Sequence, residues 1–100
     1  MFRGTTPTLK FKLPFDTAFI NTVWITFAQN NKEIFTVKTD ACELNENVIT
    51  AKLTQKQTLQ LKGSYEVEIQ IRILTNENDA LVSHVIKAFV NKILKDGEIS

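Results

Sequence analysis

Cysteine, histidine, proline and glycine are all scarce in this chain, and each shortage removes a class of explanation. Cys42 is the single cysteine. It has no partner for an internal disulfide and no neighbour at zinc-ligand spacing, so it reads as a small apolar filler. His84 is the single histidine. Acid–base or nucleophilic catalysis needs a second group within hydrogen-bond reach of the imidazole. No serine–histidine–aspartate arrangement is visible, and His84, set among Val82, Val85 and Ile86, reads as a structural residue. Three glycines and two prolines leave no phosphate-cradling loop, no linker and no low-complexity stretch. No apolar run nears the ~20 residues that span a bilayer. Met1 to Pro7 lacks the apolar stretch of a signal peptide. The expectation is one domain, residues 1–100, made and kept in a reducing compartment, with Met1 opening a complete reading frame.

Charge of one sign is also missing. Twelve Lys and Arg oppose eleven Asp and Glu, for a net charge of +1, and the lysines are spread from Lys10 to Lys95 with acids between them. Nucleic-acid binders gather positive charge on one face, so neither nucleic acid nor a membrane is an expected partner. The close acid pairs do not suggest a reaction either. Asp40 and Glu43 lie in a turn-like segment, and Glu66 and Glu68 share one strand face with Arg72. A glycosidase needs two carboxylates facing across a cleft. Asn76 to Asp79 lacks the glycine and distal glutamate of an EF-hand loop and reads as a turn. The expectation is a non-enzymatic protein with no cofactor and no metal.

What the chain does have is hydrophobic alternation. Hydrophobic residues make up 43%, an ordinary globular value, and a chain of this length buries about 65% of its unfolded surface around one core. In Thr8 to Leu13, Leu9, Phe11 and Leu13 alternate with Lys10 and Lys12, the period of a half-buried strand. Thr22 to Ala28 and Glu33 to Lys38 follow, joined by a Gln29-Asn30-Asn31-Lys32 turn in which asparagine tolerates the left-handed conformation. Thr39 to Asn47 reads as a crossing segment or a short edge strand, and Val48 to Leu53 as a strand. Thr54 to Gln57 has the spacing of a capping box, with Gly63 at a helix C-cap, so about two helical turns are expected there.

Tyr65 to Leu74 is the clearest strand, with Tyr65, Val67, Ile69, Ile71 and Ile73 on one face. Leu81 to Val90 is its return partner. A turn centred near Glu77 and Asn78 pairs Ile73 with Val82, Ile69 with Ile86, Val67 with Ala88 and Tyr65 with Val90, and opposes Glu68 to Lys87.

These runs predict an all-β fold: an immunoglobulin-like Greek-key antiparallel β-sandwich of about seven strands, with one short helical turn between the fifth and sixth. Leu61, Gly63 and Tyr65 have the spacing of a tyrosine corner, in which the phenol bonds backbone at the preceding crossover. Five apolar residues stand out of parity with this core, Trp24, Leu74, Leu81, Val85 and Phe89, although Trp24 belongs to the core if its strand turns the other face inward. Either a bulge or a covering segment explains them, or they form a protein–protein contact, where Trp and Phe are favoured.

The opening Thr6-Pro7-Thr8-Leu9-Lys10-Phe11-Lys12-Leu13 resembles the start of the N-terminal domains of phage baseplate upper proteins. So does Leu53-Thr54-Gln55 with Leu61-Lys62-Gly63-Ser64-Tyr65-Glu66-Val67-Glu68-Ile69-Gln70. The same shape occurs in small tail-associated proteins of phages of Gram-positive bacteria. The resemblance covers these two segments well and the rest loosely. It implies an immunoglobulin-like sandwich in a phage tail or baseplate, made in the bacterial cytoplasm and ending in the virion. There it joins other protein subunits, its own copies or tail and baseplate proteins. It brings no catalytic residues. The alternative is a monomeric ligand-binding sandwich for carbohydrate or a cell-surface polymer, with exposed aromatics gathered on one face or at one end.

Overall fold

The computed structural model describes residues 1–100. Eight strands and one helix follow in the order β1 (Thr8–Lys12), β2 (Ile20–Gln29), β3 (Lys32–Lys38), β4 (Cys42–Asn45), β5 (Val48–Lys52), α1 (Gln55–Leu59), β6 (Tyr65–Thr75), β7 (Ala80–Val82) and β8 (Ile86–Val90). Two 3-10 turns, Thr17–Phe19 and Thr39–Ala41, carry the chain between sheets. No helix is long and apolar enough to cross a membrane.

One sheet has the order β1-β5-β4 and the other β3-β2-β6, with β7 and β8 both paired to β6. Every ladder between strands is antiparallel. The chain crosses between sheets after β1, β3 and β5, which makes the arrangement a Greek-key sandwich with the immunoglobulin-like strand order. The eighth strand arises because the crossing segment contains β4 and a break divides the return strand into β7 and β8.

Local chemistry sets the turns. Asn30 and Asn31 both have positive φ, 54° and 62°, as the two-residue hairpin of a right-twisted ribbon requires. At α1, the Thr54 hydroxyl accepts from the Gln57 backbone N–H (3.1 Å), and the Gln57 side-chain Oε1 accepts from the Thr54 backbone N–H (2.9 Å). The capping box is complete. The helix is only five residues long and ends with Gln60 in the right-handed region.

The inward faces of both sheets form one core. Val23, Ile25 and Phe27 of β2 meet Ile49, Ala51 and Leu53 across the sandwich, with Val67, Ile69 and Ile71 of β6 beside them, all at most 4% exposed. Phe27 stacks on Phe35 at 4.5 Å between centroids. The β2–β6 pairing, from Ile20–Thr75 to Ala28–Glu68, is the longest ladder of the fold.

The predicted return register holds for half its length. Tyr65–Val90, Val67–Ala88, Glu68–Lys87 and Ile69–Ile86 pair as expected. Ile73, however, pairs with Leu81 and not with Val82. Three residues, Ser83 to Val85, oppose only Gln70 and Ile71, and this extra residue is a β-bulge that shifts the register by one. Ser83 holds it. Its N–H donates to the Ile71 carbonyl (2.8 Å), and its Oγ accepts from the Ile71 N–H (2.9 Å).

Candidate functional site

Of the five residues of wrong parity, Trp24, Leu74 and Leu81 line one pocket of about 360 Å³ beside Arg72, while Val85 and Phe89 are not part of it. Trp24 and Leu74 project from the outer face of the larger sheet, 41% and 37% exposed. Trp24 lies directly between Lys38 of β3 and Arg72 of β6. The Lys38 Nζ sits 5.4 Å and the Arg72 guanidinium 5.7 Å from its ring centroid. Two cations over one indole hold it upright by cation–π attraction. Phe89 is on the same outer face but opposite Glu66. At ~3.4 Å per residue it lies about 20 Å along β6 from Arg72 and Trp24.

Leu81 and Val85 correct the sequence reading. The bulge resets the parity of the return strand, so Leu81 shares the inward face with Ile73. Val85 lies within the bulge itself. Val85 is 45% exposed there, whereas Leu81 and Ile86 face inward and are still 43% and 41% exposed. The reason lies across the sandwich. β1 ends the smaller sheet on the side where β7 and β8 end the larger one, and the space between these two edges is uncovered. It is a groove of about 610 Å³ lined by Phe11, Leu13, Phe15, Ile71, Leu81 and Ile86 along its floor and walls. Leu9, Phe11 and Leu13 are therefore only half-buried although they face the core. His84 stands exposed on the rim, and its ring makes no hydrogen bond. Cys42 lies on the far edge of the smaller sheet, on β4, so the two residues do not meet. Burial, with the Asp40 carboxylate adding to it, pushes the Cys42 thiol pKa up, and Cys42 packs against the core as a filler.

The opposite end of the sandwich is closed. Leu61 is 1% exposed, and a Cβ on Gly63 would stand 2.7 Å from Lys92 Cβ and 2.8 Å from Lys92 Cα. Gly63 is thus required by close approach and not by a C-cap; the positive φ of this turn, 68°, falls on Ser64. Tyr65 is 63% exposed and its hydroxyl makes no hydrogen bond, so there is no tyrosine corner. The reason is that other groups already satisfy the crossover. The buried Gln29 amide donates to the Lys62 carbonyl (2.9 Å) and accepts from the Lys62 N–H (2.7 Å). The Arg3 guanidinium donates to the carbonyls of Leu61 (2.6 Å) and Leu59 (2.8 Å) and pairs with Asp96. Met1 to Arg3 also add to the outer edge of β8 through Phe89 and Asn91. Sequence reasoning missed Gln29 and Arg3. A polar residue ending the buried face of a strand was the only local sign of Gln29.

No family model matches the chain, and no curated protein and no solved structure matches it either.

Proposed function

We propose that the chain is a non-enzymatic structural module that joins protein subunits, as a tail or baseplate component of a phage particle. The phage setting is carried by the resemblance of Thr6–Leu13 and Leu53–Gln70 to baseplate upper proteins. The contact role is carried by one observation: the two sheets stay open along β1 and β7–β8, leaving the inward-facing Leu81 and Ile86 exposed beside core residues. Contiguous apolar surface at a strand edge favours pairing with another chain.

Carbohydrate binding is the second reading, because the groove volume suits a small ligand. It is the weaker one. Sugars stack on open aromatic faces, whereas the indole of Trp24 has cations over it and stands on a different face from the groove.

Light scattering after size exclusion at two protein concentrations, combined with binding of the apolar dye anilinonaphthalene sulfonate, tests the contact role. The protein is expected either to associate or, as a monomer, to bind the dye, and Leu81→Asp should lower whichever signal is seen. A monomer that ignores the dye would contradict it.

A further inference from the structure

We infer that the groove between β1 and β7–β8 takes an extended segment of a partner protein as an added strand on β1, and that this segment alternates apolar and acidic residues. This rests on the contact role proposed above and specifies its partner.

The backbone supplies the first half of the argument. Leu13 N–H donates to the Asn47 carbonyl (2.7 Å) and Leu53 N–H to the Pro7 carbonyl (2.9 Å). Both pairs are in the register that couples Leu9 to Ala51 and Phe11 to Ile49. In an antiparallel ladder, bonded and non-bonded pairs alternate. Leu9, Phe11 and Leu13 therefore bond β5, and the N–H and C=O groups of Lys10 and Lys12 point off the free edge. The immunoglobulin-like order has a strand at this position; here the edge is bare. A row of unpaired amides next to an apolar trough is the template for strand addition.

Side-chain parity supplies the second half. A strand laid on β1 alternates its own side chains between the groove and the outer face. Those entering the groove meet Phe11, Leu13, Ile71 and Leu81 and must be apolar. Those on the outer face lie beside Lys10 and Lys12, both exposed, and no carboxylate lines the groove. Acidic residues complement these two lysines as cross-strand partners. The same lysines argue against β1 of a second copy as the added strand: β1 paired with β1 would set lysine against lysine, and like charges directly opposite destabilise a ladder. Asp16 and Asp79 lie beyond Phe15, past the end of β1, so the acidic positions of the incoming segment belong beside Lys10 and Lys12 and not at that end.

The test uses the full chain and two blocked eight-residue peptides, one alternating valine with glutamate and one alternating valine with lysine. Binding is read by amide hydrogen exchange and by titration of backbone resonances. The valine–glutamate peptide is expected to protect the Lys10 and Lys12 amides, and the valine–lysine peptide to bind at least about tenfold more weakly, the effect of reversing two cross-strand charges. Lys10→Glu with Lys12→Glu should invert that preference, and since both side chains are exposed the variant keeps its fold. Equal binding of the two peptides in the groove would overturn the acidic specificity and leave the contact role standing. Protection of other amides, or of none, would overturn the added strand, and the light-scattering and dye experiment then judges the contact role separately.

Discussion

The two ends of this sandwich are built from the same residue types and finished differently. At the crossover end the core is covered: Leu61 is buried, Gly63 admits the Lys92 backbone, and Gln29 and Arg3 satisfy the backbone of Leu59 to Lys62. At the other side, β1 and β7–β8 stop short of each other, and side chains with the same apolar character stay in water. The comparison teaches that burial here is decided by whether an edge is covered, and not by the hydrophobic pattern of the strand that carries the residue.

The sharpest way to break this comparison is one substitution made twice. Leu61→Ala removes a side chain that is 1% exposed, and Leu81→Ala one that is 43% exposed. Urea unfolding should show a loss of about 2–5 kcal/mol for the first and no more than about 1 kcal/mol for the second, since so much of Leu81 already contacts water. Equal losses would mean that the groove is closed in solution.

Next in size is Gln29→Leu, which keeps the volume and leaves both polar groups of Lys62 without their partner. Denaturant midpoints should report a loss of about 1–3 kcal/mol. The smallest effect belongs to Tyr65→Phe. With no hydrogen bond on the phenol, stability should change by less than about 0.5 kcal/mol; a loss of about 1 kcal/mol or more would restore the tyrosine corner.

Much of this fold is legible in the sequence where the signal is local. The alternation of Tyr65 to Leu74 marks β6 and its core face, Asn30-Asn31 marks the hairpin by conformational tolerance, and Thr54 with Gln57 marks the helix start. The site is less legible, for two physical reasons. The bulge at Ser83–Val85 carries no glycine or proline; it depends on the Ser83 hydroxyl taking the Ile71 N–H from across the ladder, which no neighbour in sequence announces. It moves Leu81 from the outer face, where alternation puts it, to the inner one. The braces of the crossover link Gln29 to Lys62 and Arg3 to Leu59 and Leu61, contacts made only once the sheets have packed. Leu61-Lys62-Gly63-Ser64-Tyr65 therefore has the spacing of a tyrosine corner while the bonding belongs to other residues. Whether β1 has an uncovered edge is likewise a property of strand order and not of Thr8 to Leu13.

The measurement that bears most directly on the open groove is native-state amide hydrogen exchange along β1 in the free protein. Leu9, Phe11 and Leu13, bonded to the neighbouring β5 side, should be protected, while Lys10 and Lys12 between them exchange at close to unprotected rates. An alternating pattern of this kind is what an uncovered strand edge produces. Uniform protection from Leu9 to Leu13 would mean that the edge is already paired, and the groove would then not be available to a partner.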